Sequence, residues 1–462
     1  MKKVTLAILS VVTATSVTAC ESKPQASESG NQSSSSTPAK TVTINIATVN
    51  NPDMKVMEEL KGEFESTHPG IKVNFTAMPD DDLRKKVTLN VSTKSGEYDI
   101  ATIGPYEVST WAKNDWLEPL NPLFEANADI QKSYDVNDII KPINGALSLK
   151  DKMYALPFYG ESNMIFYRKD LFEQKGLTMP EQPTWDDIYK LAKQLNDPAN
   201  GMYGIALNGT PQYGQLAPLL TVINTFGAKW FDMDWNPQIN SPEFKKAVSF
   251  YVNLLKEAGE PGATNVGFNE GLGLISQGKA AMWYHATVAA GMLNDPNTSK
   301  VVGKIGYAKA PVEVTPNGSH WLYTWGLGIL SSSTHKKEAF EFITWATSKD
   351  YIKLVANKKG WALAPSGTRY STYENQDYLK AAPWSKITKE LIDSADINKP
   401  AKDQVPYTGL AQIHLPEYAA FASEFGQNFA AVVTGALSVD EALQKSQEKT
   451  TEIMKKAGYI KK

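Results

Sequence analysis

Between residues 42 and 103 the hydrophobic period alternates between two and about 3.6, and few folds accommodate that order. Val42, Ile44 and Ile46 recur at period two. Asn50-Asn51-Pro52-Asp53 then makes a turn that can also cap a helix carrying Met57, Leu60 and Phe64, which His68-Pro69-Gly70 stops. Ile71, Val73 and Phe75 give a second strand, and Asp80-Asp81-Asp82 opens a helix with Leu83, Val87 and Val91 on one face. Tyr98 to Ile103 is a third strand, ending at Gly104-Pro105. A β-α-β-α-β order predicts an α/β fold with an open parallel sheet covered by helices on both faces. Ligands of such sheets bind at the carboxyl ends of the strands, here near Asn50-Asn51 and Gly104 to Glu107.

The same vocabulary continues downstream. Thr184-Trp185-Asp186-Asp187 has the form of a capping box ahead of Ile188, Leu191, Ala192 and Leu195. Gly201 to Leu207 reads as a following strand, and helices are expected over 244–258, 336–347, 385–397 and 438–456. The last carries Leu443, Ile453 and Met454 on an otherwise charged surface, and no internal repeat is evident.

The chain contains a single cysteine, Cys20, so no internal disulfide can staple it. Lys2-Lys3, an apolar run over Val4 to Val12 and small residues up to Cys20 have the form of an export signal spanning 1–19. The run is too short to span a ~30 Å hydrocarbon core as a helix. Val17-Thr18-Ala19-Cys20 resembles a bacterial lipobox, which implies a lipid anchor on Cys20; an ordinary signal peptide with a chance cysteine is the alternative. Residues 20–40, with Ser33 to Ser36 and no apolar pattern, are expected to form a flexible tether of about 25 Å average reach.

A chain of 462 residues with 42% hydrophobic content can bury a large core in more than one domain. Its net charge of −3 becomes −5 when Lys2 and Lys3 leave with the signal. Without a basic stripe, nucleic acid is not an expected partner. There is no G-x-S-x-G elbow, H-E-x-x-H or phosphate loop, and five scattered histidines suggest no metal site. No cofactor is expected. The rival reading is a secreted carbohydrate-active hydrolase or lyase, which would need a carboxylate pair ~5–9 Å apart.

Three stretches carry a family resemblance: Met153-Tyr154-Ala155-Leu156-Pro157, Ile165 to Phe172, and Phe268-Asn269-Glu270 with Ser276 to Trp283. They resemble the extracellular solute-binding proteins of ABC importers, the class that includes maltose-binding protein. Ala47 to Asn51, Ile103-Gly104 with Tyr106-Glu107, Asn224 to Gly227 with Trp230 to Pro237, and Ala286 to Gly291 are most similar to the members that bind mannitol, sorbitol and related polyols. That group is expected to carry an Asp where this chain has His285. The resemblance implies a non-enzymatic, monomeric two-lobe protein. Lobe one would take 41–152 plus 310–352 and lobe two 153–309 plus 353–462, with Met153 to Phe158 as a crossing strand and the ligand in the cleft. It also implies a sugar or sugar alcohol as ligand, ABC permease subunits as partners, and a place outside the cytoplasm on the bacterial membrane.

A polyhydroxy ligand needs aromatic faces for its C–H surface and charged or amide groups for its hydroxyls. Glu161 matches a ligand-contacting glutamate of the maltose-binding class; an interfacial structural role is its alternative. Tyr106 and Glu107 are candidates from the loop after the third strand, and Arg84 from the cleft edge, against surface or ion-pairing roles. Asn50 and Asn51 either touch ligand or cap a helix. His285 is a candidate contact, titrating near ~6.5 if unperturbed, or else a core histidine. Trp230, Trp325 and Trp361 adjoin turns and glycines, where a flat pocket wall or plain packing would suit them.

Overall fold

The computed structural model describes residues 41–460; the expectations for the export signal, Cys20 and the tether lie outside the described residues. Strands β1 (Val42–Val49), β2 (Ile71–Met78), β3 (Ile100–Ile103), β4 (Ala155–Glu161), β5 (Asn163–Arg168), β6 (Met282–Ala286), β7 (Ile305–Lys309) and β8 (Tyr323–Ile329) form two sheets. The five-stranded sheet has the order β2-β1-β3-β8-β4, and the three-stranded sheet the order β6-β5-β7.

The first half of the reading holds locally. Asn51 caps the helix Pro52–Glu59, its side chain accepting from the Met54 amide at 2.9 Å, with Pro52 in the first turn where a missing N–H costs nothing. The Thr184 hydroxyl accepts from the Asp187 amide and Asp187 reaches back to the Thr184 amide, as a capping box requires. β1 pairs in parallel with β2 and β3.

Two expectations change. The sheet is mixed: β8 is antiparallel to both β3 and β4. The chain returns from the other sheet at the end where β3 and β4 finish, so β8 must run back against them. Met153 to Phe158 lies largely within β4, hydrogen-bonded to β8, and the chain leaves the five-stranded sheet at Glu161–Asn163. It returns over 310–322, and the helix Lys349–Lys359 runs unbroken through the expected boundary at 352. Residues 201–207 form no regular strand; they run beside β6 through isolated bridges, Tyr203 to Ala280 and Ala206 to Trp283. Gly204 lies so close to the Ala192 carbonyl that a Cβ there would fall 2.0 Å from the oxygen, which keeps this segment against its helix.

The three-stranded sheet divides two hydrophobic cores. Met164, Phe166 and Trp283 on one face join the core under the five-stranded sheet. Ile165, Met282 and Tyr284 on the other face join a second core with the helices Pro242–Ala258 and Tyr418–Val433. This is the period-two alternation of strands used on both sides. Each large side chain buried this way contributes roughly 1.5–3 kcal/mol, so the wall between the cores is stiff enough to position a site.

Candidate functional site

A cavity of about 380 Å³ lies where the two sheets face each other. Its first wall is one face of the β4–β8 pair. Tyr159 and Glu161 alternate along β4, and Tyr323 and Trp325 are their register partners on β8, so all four side chains project to the same side and line the cavity. Each aromatic is fixed. Asn51 Nδ2 donates to the Tyr159 hydroxyl at 2.9 Å, and the Tyr323 and Trp325 rings meet edge to face at 5.4 Å.

Beside this wall is a buried ionic cluster, of which Asp80 and Tyr323 line the cavity while Arg84 and Glu107 do not. Arg84 donates through Nε to Asp80 Oδ1 at 2.8 Å, through Nη1 to Glu107, and through Nη2 to the Tyr323 hydroxyl at 3.0 Å. Its guanidinium also lies 5.4 Å from the Trp325 ring centre. Glu107 Oε2 accepts the Gly104 amide at 2.9 Å, closing the turn after β3. Arg84 therefore clamps three lining residues, Asp80, Tyr323 and Trp325, from outside the cavity.

The opposite wall comes from loops and helix ends: Asn208, Thr210, Gln212 and Gln215, the start of the helix Phe268–Ser276, and His285 on β6. The crossing segment adds Trp321, and the C-terminal region adds Ala411 and Gln412. Hydrogen bonds tie the walls together at the rim. Asn269 Nδ2 donates to the Asn50 carbonyl at 3.3 Å, the Gly214 amide to Asp81 Oδ1 at 3.2 Å, and the Tyr106 hydroxyl to the Pro416 carbonyl at 3.3 Å.

Burial sets the charge states. Glu161 is only 8% exposed, and desolvation, reinforced by nearby Asp53, pushes its carboxyl up to about 8. Burial of Glu161 thus disfavours its ionised form. Asp53 is pushed up to about 7 by burial and carries an Oδ2 without a partner. Burial holds His285 down at about 3, so its ring is neutral and it does not titrate near the ordinary histidine value. Donors approach both ring nitrogens, the Ala286 amide at Nδ1 (2.8 Å) and Asn208 Nδ2 at Nε2 (3.2 Å). A neutral imidazole accepts at only one of them, so one of these contacts is not a hydrogen bond.

Of the residues singled out from sequence, Asn50, Asn51, Glu161, His285 and Trp325 line the cavity. Arg84, Tyr106, Glu107, Trp230 and Trp361 do not. Arg84 and Glu107 are spent on each other outside the cavity lining. Tyr106 packs edge to face on Tyr418 at the rim. Trp230 is 1% exposed among Phe244, Phe421 and Phe425, a core residue because the turn at Gly227 folds it inward. Trp361, half-buried, packs on Ile352, Ala356 and Ala364. The sequence reading missed Tyr159, Trp321 and Tyr323. Tyr159 was within reach, two residues before Glu161 on the same strand face.

Three lining side chains carry a buried polar atom with no partner in the protein: Asn208 Oδ1, Gln412 Oε1 and Trp321 Nε1. Two accept and one donates. Among the described residues no group of His, Cys, Asp or Glu is placed to hold a metal ion, and no helix is long and apolar enough to cross a membrane.

Residues 48–353 match the family described as bacterial extracellular solute-binding protein. The mannitol-binding protein of Pseudomonas aeruginosa is 44% identical over 91% of this chain and 94% of its own. An ABC transporter solute-binding protein from Agrobacterium vitis S4, solved with bound D-mannitol, superposes with a TM-score of 0.88 at 47% identity, covering 91% of this chain and 100% of that one. A solute-binding protein from Agrobacterium radiobacter K84 in complex with ribitol gives a TM-score of 0.78 at 28% identity, covering 90% and 100%. With a family match over more than half of its length and a relative this similar, the chain belongs to the bacterial extracellular solute-binding proteins.

Proposed function

We propose that the cavity captures a linear sugar alcohol, D-mannitol or a close relative, without turning it over, and that the chain hands it to the permease subunits of an ABC importer. The supporting observation is the pairing of the β4–β8 face with unpartnered polar atoms of both kinds. Trp325 and Tyr159 offer flat surface to C–H groups, Glu161 offers a carboxyl, and Asn208, Gln412 and Trp321 want both donors and acceptors. A hydroxyl donates and accepts at once, so a chain of hydroxyls answers this mixture better than a carboxylate or an ammonium group would. The mannitol bound by two of the relatives points the same way. Candidate contacts are Asn50, Glu161, His285, Trp325, Tyr159, Trp321 and Gln412. Asn51, which caps a helix and holds Tyr159, acts through that tyrosine. Release requires the walls to part about the crossings at Glu161–Asn163 and 310–322, a hinge motion between two lobes.

A thermal-shift panel of mannitol, sorbitol, ribitol, glucose and maltose tests the ligand class. A specific ligand at a hundred times its Kd stabilises by about 2.7 kcal/mol. Mannitol or sorbitol should give the largest shift; a larger one from maltose would sink the polyol reading. We place the protein outside the cytoplasm, as a monomer anchored through acylated Cys20. Cys20→Ser should release it from the membrane fraction with mannitol binding intact, and unchanged retention would contradict the anchor.

A further inference from the structure

The run Asp80-Asp81-Asp82 is absorbed only partly by the ligand site. Asp80 and Asp81 begin the helix Asp80–Thr93 on the five-stranded-sheet side of the rim, and Tyr213–Gln215, a single 3₁₀ turn, faces them from the other side. The Gly214 amide donates to Asp81 Oδ1 at 3.2 Å. A Cβ on Gly214 would lie 2.5 Å from Asp80 Oδ2 and 2.9 Å from Asp81 Oδ1, closer than real contacts allow. Asp80 cannot easily give way, because Arg84 holds its other oxygen at 2.8 Å within the buried cluster. The flanking residues complete the seat: Tyr213 packs on Tyr418, and Tyr418 on Tyr106. The backbone at Gly214 lies outside the left-handed region, so its conformation does not require glycine. What requires glycine is the approach of the opposite wall.

We propose that Gly214 is a positioning residue that sets closure of the cleft: its bare backbone docks on the Asp80–Asp81 carboxyl pair as the walls come together, and any side chain there props the rim open. This rests on the binding reading above. The residue acts through closure, so it governs affinity without needing to touch ligand, and opening the cleft removes the clash.

The test compares the native full chain with Gly214→Ala, Asp81→Ala and Gly273→Ala. Gly273 has no atom within 4 Å of its would-be Cβ, so it controls for adding a methyl group. D-Mannitol affinity is measured by calorimetry, and the radius of gyration by small-angle scattering with and without mannitol. Gly214→Ala should lose about 30-fold in affinity and fail to compact with mannitol, at an unliganded melting temperature near native. Asp81→Ala, which removes the acceptor without adding bulk, should lose about 3- to 10-fold, and Gly273→Ala should match native. Mannitol affinity of Gly214→Ala within threefold of native overturns the proposal, as does lost affinity with normal compaction. If the native chain gives no heat with mannitol, the ligand assignment fails instead. The closure claim is then decided without ligand: Gly214→Ala more expanded than native supports it, and identical scattering overturns it. Should Gly214→Ala fail to fold, the Asp81→Ala affinity and compaction decide it alone, native values overturning the proposal.

Discussion

The two walls of the cavity are built differently. The β4–β8 wall is a rigid sheet face whose aromatics are pinned at their hydroxyls, Tyr159 by Asn51 and Tyr323 by Arg84. The facing wall is made of loops and helix ends, and it carries the unpartnered Asn208 oxygen and the neutral His285 ring. A pinned wall suits the invariant part of a polyol, its C–H faces. Amides on loops can turn to meet hydroxyls of differing configuration, so substitutions on the first wall should act on affinity for all polyols and those on the second on the choice among them.

The largest effects should come from residues outside the cavity. Arg84→Ala leaves the Asp80 and Glu107 carboxyls buried without their cation, which costs about 3–5 kcal/mol. Trp230→Ala empties a ring of phenylalanines and costs about 3–5 kcal/mol. Both should appear as lower midpoints in denaturant unfolding. The comparison separates them by ligand binding. The folded fraction of Trp230→Ala should bind mannitol normally, whereas Arg84→Ala should also bind more weakly, because Asp80, Tyr323 and Trp325 lose their clamp. Native stability with lost affinity in Arg84→Ala would put that residue in the ligand site after all.

Acidity gives a smaller, graded test. Burial in the closed cleft raises Glu161 to about 8, and burial together with Asp80 raises Asp81 to about 6. A carboxyl whose closed-state value exceeds its open-state value favours the closed state while protonated and opposes it once ionised. The unliganded chain should therefore be more compact at pH 5 than at pH 9, loosening as pH rises through 6 and then 8. Scattering of Glu161→Gln should lack the upper step. A cleft that tightens with rising pH would contradict these environments, and a transition near 6.5 would point to a histidine.

How much of this was legible in the sequence follows from range. Asn51 as a cap, the Thr184–Asp187 box and the alternation of β1 and β2 are decided within a few residues, and they read correctly. Glu161 was singled out by its resemblance to a glutamate of the maltose-binding class, and it lies at the end of β4, lining the cavity. Tyr323 was not, because its place opposite Glu161 depends on a register between strands far apart in the chain, which no local period reveals. Arg84 and Glu107 were located at the right end of the sheet, and the ion-pairing alternative named for Arg84 is the one the structure shows, the two being bonded to each other outside the cavity lining. A charged residue near a cleft looks the same in sequence whether it touches ligand or braces the residues that do. Trp230 shows the same limit: glycine beside tryptophan marks a turn, and only packing decides which way the ring falls.

The most direct test of the central claim is calorimetric titration of D-mannitol into the native chain and into Glu161→Gln, side by side. Hydrogen bonds from ligand hydroxyls to a charged group contribute ~1.5–3 kcal/mol, and hydroxyls packed on Glu161 favour its ionised form. Gln keeps the shape and one acceptor but not the charge, so binding should be 1:1 in the native chain and about 10- to 100-fold weaker in the variant, each ~1.4 kcal/mol being tenfold. The unliganded melting temperature should stay near native, since Gln matches the neutral carboxyl that burial favours. Native affinity in Glu161→Gln, or no mannitol binding by the native chain, would contradict the account.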